Sequence, residues 1–577
     1  MPVLEPSPSV YPVKPWERTA IGALIAALLF AMALRAARVG VTVDEPSHLL
    51  SSYLYWRGAD RLPPRDMPPL LKISAGWAPR VLGLPVPATL GLPGQPRTEE
   101  WDAASAMMMR MEWDAIPRVF FLARLPMLIF PLLALGLLWW WSRQLFGPAC
   151  AMLLAAALAL EPTARAHASI LKNDIASMFA YLLFWYCAWR YWRAPQTGNA
   201  AALGGALLLA LISKLSMLFL LGIAPLIVLA RHFTGKTGRR ATLTGLCCVL
   251  LIPYVGTLAA YQFETRLLDA DELSRLWSGS AVPKWFLAPA WIFRLLPVAS
   301  GMWEGCVALF SSNHEAVPVY LLGRVLPEGS LFYFPLALAV KVPGALQLLI
   351  VSGIALALLS LRKGELGEGW AFWLIPGFLY IALASLSRFQ LGVRLVLPAL
   401  PFGLMLCGVA LRWLLRNRRG QAFAALLFCW LLYRSVGIYP RGITYFNVWA
   451  GGADNGLQYL ADSNLDWGQG LPDLANFVRE RGIRKLHLSY FGFDIPYRYF
   501  PEDELEVVAP PWDDSTANGS HLEPEPGYYA VSATLLPGHY FAPKYRNYYR
   551  VFRSLQPIAK PGHSIYVYRI DHKVHSR

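Results

Sequence analysis

The sequence predicts a polytopic α-helical membrane protein with a soluble α/β domain at its C-terminal end. Three observations predict this. Of 577 residues, 56% are hydrophobic and 15% charged, where soluble domains carry roughly 25% charged residues. The apolar residues gather in long runs close to the roughly 20 residues that a bilayer crossing needs. From Tyr439 onward those runs stop and give way to short β-branched and aromatic stretches broken by turn formers, the pattern of strands and tight loops. The net charge of +15 does not indicate a nucleic-acid partner, because the basic residues lie in short clusters between apolar runs, where positive charge sets topology. The seven cysteines include no CxxC pair, so neither a zinc site nor a disulfide framework is indicated.

About eleven crossings can be drawn at that length. They lie near 18–38, 118–141, 147–163, 175–192, 200–213, 215–231, 241–261, 337–360, 370–386, 393–414 and 421–438. The first has the length of a spanning helix and no small-residue cleavage site after it, so it reads as an uncleaved anchor. With the N-terminus inside, the inner loops hold Lys14 and Arg18, Arg143, Arg190 and Arg193, Arg231 to Arg240, Arg362 and Lys363, and Arg412 to Arg419. Each is basic, as the positive-inside rule expects. The same parity puts 39–116, 262–330 and 440–577 outside. Within 440–577, Lys485–Gly492, Tyr528–Leu536 and Ser564–Ile570 read as strands. Leu471–Arg481 reads as a helix stopped by Gly482, and 502–526 as acidic, Pro-rich turns. The division is thus 1–439 in the membrane and 440–577 as the outer domain.

Four groups of residues carry candidate chemistry. Asp44, Glu45 and His48 follow the first crossing directly, and Asp44 and His48 share a face if a helix begins near Glu45. Either they supply a general base or metal ligand, or Asp44 is a helix cap. His167, Lys172 and Asp174 return to the same side after the third crossing. Basic residues lie at or just below that boundary: Lys72, Arg124, Lys214, Lys341, Arg388 and Arg394. Cations near a membrane are costly and usually have a partner. Lipid phosphate is a natural one, and snorkelling toward headgroups is the alternative. Finally, Asp466 and Trp467 in Asp462-Ser463-Asn464-Leu465-Asp466-Trp467-Gly468-Gln469 fit either a tight loop or a sugar contact.

In this order these features resemble the GT-C glycosyltransferases that use polyprenyl-phosphate sugars, notably protein O-mannosyltransferases and the lipid A aminoarabinose transferase. The resemblance covers roughly 17–440. It rests on Asp44-Glu45, Pro68-Pro69-Leu70-Leu71-Lys72, His167 with Lys172-Asn173-Asp174, Lys214 with Ser216, Lys341-Val342-Pro343 and Gly392-Val393-Arg394 before Pro398. The tail does not resemble the MIR domain of eukaryotic O-mannosyltransferases.

The resemblance implies inverting transfer of a sugar from a polyprenyl-phosphate donor to a hydroxyl acceptor, protein or glycolipid. Asp44, Glu45 and Asp174 would be catalytic. His48, Lys72, His167, Lys172, Lys214, Lys341, Arg388, Arg394, Asp466 and Trp467 would bind substrate. Metal dependence stays open, with Asp44, His48, His167 and Asp174 as possible ligands. Two rivals are a lipid or sugar transporter and a non-catalytic partner of such an enzyme. Transporters place ionisable groups near the midplane, whereas here the carboxylates lie at one surface. An Ala-, Leu- and Arg-heavy composition points to a bacterial inner membrane, with the outer domain facing the periplasm.

This topology predicts that a cysteine placed at Ser515 reacts with a membrane-impermeant thiol reagent in intact cells whose outer membrane has been made permeable. Reaction only after lysis would invert the orientation.

Overall fold

In the computed structural model, residues 12–57, 67–83, 98–279, 281–315, 317–516 and 519–572 are described. Helices occupy every apolar range drawn from the sequence. Among the described residues six stretches are long and apolar enough to cross a membrane: Pro15–Arg38, Trp113–Phe146, Leu215–Phe233, Arg239–Ala260, Gly344–Arg362 and Val393–Leu414. Shorter apolar helices run Pro148–Leu160, Thr197–Ser213 and Ala371–Ser385. Asp174–Arg193 and Arg418–Gly437 complete the bundle.

Proline explains most departures from the expected boundaries, since it removes a backbone donor and clashes with the preceding turn. The crossing expected over 337–360 is two helices, Tyr333–Lys341 and Gly344–Arg362, parted at Val342-Pro343. The second crossing is Ile116–Arg124 and Ile129–Phe146, joined by a 3₁₀ turn, Leu125–Leu128, around Pro126. The third ends at Leu160, because Pro162 opens a separate short helix, Pro162–His167, capped by the Glu161 side chain on the Ala164 N–H. These breaks expose the ends of helices, and the ends build the site.

The C-terminal region forms a four-stranded sheet. Its strands are β1 (Leu486–Ser489), β2 (Leu505–Val507), β3 (Gly527–Ser532) and β4 (Ile565–Ile570). The order is β2-β1-β3-β4, with β1 parallel to β2 and β3, and β4 antiparallel to β3. Three strands and the helix Leu471–Arg481 fall where the sequence put them. β2 lies inside the segment read as turns. It is three residues long, with one residue buried, too short for the alternation that marks a strand.

The sheet has two apolar faces, as its period-2 pattern requires. Ala530, Ile565 and Val567 pack on Leu471, Leu474 and Val478 of the helix. Tyr529, Val531, Tyr566 and Tyr568 share a second cluster with Tyr333, Phe334, Val340, Val393 and Val396. The domain's core is therefore continuous with the membrane bundle. Hydrogen bonds link both long loops to the same region: Val43 N–H donates to Trp467 O and Leu322 N–H to Tyr459 O. Val43 of the first loop and Leu322 of the second thus both contact the C-terminal region.

One buried ion pair fixes the first loop. Arg124, in the second crossing, donates to both Glu45 carboxylate oxygens, at 2.7 and 2.6 Å. It also donates to the carbonyls of Ala36, Val39 and Gly40, at the C-terminal end of the first helix, where carbonyls lack intrahelical donors. Glu45 in turn accepts from the N–H groups of Thr42 and Leu171. Breaking a buried pair on one side costs about 3–5 kcal/mol. Glu45→Ala should lower the unfolding midpoint of the detergent-solubilised chain, followed by tryptophan fluorescence, by at least several degrees. An unchanged midpoint would show that the pair contributes no stability.

Candidate active site

The first loop supplies Asp44 and His48. A helix, Glu45–Trp56, begins where expected, with Pro46 in its first turn. Asp44 stands at the cap position, yet its side chain makes no capping hydrogen bond. Its carboxylate turns to Lys172, whose ammonium donates to Asp44 Oδ2 at 2.5 Å and to His48 Nε2 at 2.8 Å. Lys172 lies in the irregular return between His167 and Asp174 that Pro162 and the Glu161 cap set up. His48 therefore carries its proton on Nδ1, which is buried and has no hydrogen-bond partner among the described residues.

Asp174 opens the helix Asp174–Arg193 and is fully buried. Lys214 reaches its Oδ1 at 2.5 Å from the extended residue that separates Thr197–Ser213 from the next turn. Arg394 spans the two carboxylates, with Nη1 at 3.4 Å from Asp174 Oδ2 and Nη2 at 3.7 Å from Asp44 Oδ2. Gly392 makes the approach possible: its φ is +134°, and a Cβ there would collide with the Ser463 hydroxyl. That hydroxyl donates to Leu391 O and accepts from Arg394 Nε at 3.0 Å.

The C-terminal domain closes the cluster. The Trp467 ring lies under the Arg394 guanidinium at 4.3 Å and 5.9 Å from the Lys172 ammonium. Such stacking contributes about 0.5–2 kcal/mol. The His167 ring is 5.9 Å from Trp467, and neither of its nitrogens has a hydrogen-bond partner among the described residues.

Charge dominates this site. Asp44 and Asp174 face Lys172, Lys214 and Arg394, and Asp462 also acts on Arg394. Burial alone would raise the Asp44 carboxyl, but Lys172 and Arg394 win and hold it at about 2. Burial keeps His167 neutral, with its pKa down at about 3, and His48 is lowered too, by burial and then by Lys172. The side chains of Asp44, Lys172 and Lys214 keep 17, 13 and 15% of their surface exposed, while Asp174 keeps none. The open side of the cluster is thus a carboxylate flanked by two ammonium groups, and Asp174 is the buried counter-charge behind them.

Other expected site residues lie elsewhere. Lys341 is buried and donates to Ile443 O and Asn464 O at 2.7 and 2.6 Å. It tethers the C-terminal domain to the bundle, and that corrects its expected place on a phosphate. Arg388 is exposed and pairs with Glu328 at 3.5 Å, away from the cluster. Asp466 is buried, accepting from the Gly468 and Thr534 N–H groups, and burial pushes its carboxyl up to about 7. It shapes the turn that presents Trp467 and is closed to a sugar. Glu45 is the partner of Arg124 and supports Asp44 through the backbone. Lys72 is buried on the short helix Pro69–Ala75.

The expected metal ligands do not group. Among the described residues no three His, Cys, Asp or Glu side chains come together to hold an ion. Lys172 stands between Asp44 and His48, and Lys214 and Arg394 occupy Asp174, so the donor set does not fit a resident divalent cation. Ser463 is the residue of the cluster that the sequence pattern did not single out. A lone serine in a turn-rich segment has no signal of its own.

No family model and no curated protein sequence matches the chain. Among solved structures it is similar to ArnT from Cupriavidus metallidurans bound to undecaprenyl phosphate, at 15% identity over 95% of this chain and 97% of that one, with a TM-score of 0.43. It is also similar to the Archaeoglobus fulgidus oligosaccharyltransferase tethered with an acceptor peptide, at 13% identity over 88% of this chain and 69% of that one, with a TM-score of 0.42. At this degree of likeness the geometry of the cluster, and not the neighbours, carries the functional reading.

Proposed function

We propose that the chain is a membrane glycosyltransferase that moves a sugar from a polyprenyl-phosphate donor to a hydroxyl acceptor with inversion. The observation that supports this best is the group of three cations gathered on Asp44 and Asp174, two of which remain accessible at the face carrying the C-terminal domain. A phosphate entering there meets Lys172, Lys214 and Arg394. Arg394 is the strongest candidate to hold it, since a guanidinium makes a two-point contact with phosphate.

The same contacts supply a base. In the free site Lys172 and Arg394 hold the Asp44 carboxylate at a pKa of about 2, too low for an effective proton acceptor near neutral pH. A donor phosphate competes for those two cations. Drawing them off Asp44 raises its basicity when donor is present and not before. Asp44 then takes the proton of the acceptor hydroxyl as that oxygen forms a bond to the anomeric carbon. The bond from that carbon to the phosphate oxygen breaks, and its electron pair leaves with polyprenyl phosphate, whose charge the cations stabilise. Asp174, fully buried, keeps Lys214 and Arg394 in place throughout.

Purified protein incubated with a panel of polyprenyl-phosphate sugars and a crude acceptor fraction should release polyprenyl phosphate, detected by mass spectrometry. Donor binding should weaken about tenfold in Arg394→Lys and further in Arg394→Ala, the scale of losing a charge-assisted contact. Unchanged donor affinity in both variants would remove Arg394 from the phosphate site.

A further inference from the structure

A cavity of about 240 Å³ lies apart from the Asp44 cluster, on the far side of the segment 467–469. Its walls come from the end of the first helix (Arg35, Arg38), the chain entering the C-terminal domain (Arg441, Thr444) and the helix Leu471–Arg481 (Asp473). Gln469 closes the side toward Trp467. The volume equals several waters at about 30 Å³ each, room for a phosphate-sized group.

Its charged walls are mainly basic. Arg35 is 1% exposed, spends Nε on Pro440 O and Nη1 on Ala166 O, and leaves Nη2 buried with no hydrogen-bond partner among the described residues. Buried side-chain donors are almost always satisfied, so an unsatisfied guanidinium arm calls for an acceptor. Arg38 is exposed in the last turn of the same helix and has no carboxylate partner among the described residues. Arg441 pairs with Asp473 at 2.7 Å. Arg35, Arg38 and Arg441 thus line the cavity with a single carboxylate, Asp473, among its walls. A fork of guanidinium donors matches phosphate oxygens. The last turn of a bilayer-crossing helix is also the depth at which lipid headgroups lie.

We propose that this cavity is a second phosphate-recognition site, independent of the Asp44 cluster, that takes a phosphoryl oxyanion presented by an anionic lipid headgroup or by free phosphate. Arg38 and Arg441 provide the accessible arms, and Arg35 lines the cavity behind them. Arg441 turns from Asp473 toward the ligand, or shares both.

The test uses the full chain in detergent, with the variant Arg394→Ala as background so that the other cluster binds phosphate more weakly. Binding of phosphatidic acid, of phosphatidylcholine and of inorganic phosphate is measured by native mass spectrometry and calorimetry. Phosphatidic acid, inorganic phosphate or both should bind in preference to phosphatidylcholine. Replacing Arg38 and Arg441 together by Gln should weaken that binding about tenfold or more, with the unfolding midpoint unchanged. Lipid binding without phosphate binding assigns the headgroup as the source, and equal binding of both assigns the free anion. The same double replacement in the otherwise unaltered chain should remove one bound phosphoryl group and spare donor binding, which separates this site from the Asp44 cluster. No preference over phosphatidylcholine together with no phosphate binding, or full affinity after both replacements, would overturn the proposal.

Discussion

Arg124 and Glu45 hold the site's parts in register. The guanidinium gathers three carbonyls at the end of the first helix and both oxygens of Glu45, and Glu45 reaches the Leu171 N–H. Three chain segments distant in sequence thereby meet at one buried point. Asp44 precedes Glu45 by one residue and Lys172 follows Leu171 by one, so the pair places the Asp44 carboxylate and the Lys172 ammonium side by side. Burial alone would raise the Glu45 carboxyl, but Arg124 and the backbone donors keep it below its ordinary value. A buried ion pair is weak evidence of stability on balance, because desolvation offsets attraction. Here its value is positional.

The C-terminal domain belongs to the same machine. It contributes Trp467 beneath Arg394 and Ser463 on its Nε, and Lys341 from the bundle is anchored on its carbonyls. The shared apolar cluster from Tyr333 to Tyr568 keeps that roof fixed. Lys172 and Lys214 stay partly exposed at the rim of the cluster.

Much of this was legible in the sequence, for physical reasons. Long apolar runs locate helices because a bilayer forces every backbone polar group to bond within its own segment. Asp44, His48, Lys172, Asp174, Lys214 and Arg394 stood out because charges beside apolar runs need partners, and the structure brings these six together with His167 and Trp467. The same argument misplaced Lys341 and Arg388. A cation's need for a partner is local, but whether a carbonyl, a carboxylate or a ligand meets it depends on contacts such as that of Lys341 with Asn464, 123 residues away. Asp466 misled for a similar reason: its pattern fitted both a turn and a sugar contact, and burial decided for the turn. Strand β2 and the Arg35 cavity were invisible, the first too short for a period and the second assembled from three remote segments.

The central claim is that Asp44 is a carboxylate held ready for proton transfer and serving no structural cap. Asp44→Asn keeps the side chain's shape and removes its charge, and the observed geometry gives it no capping bond to lose. The decisive measurement compares donor binding and sugar transfer in this variant with those of the unaltered chain, at matched unfolding midpoints. Donor binding should persist while transfer falls about 10²-fold or more, the scale of losing a general base. A well-folded Asp44→Asn protein with near-normal transfer would contradict the account.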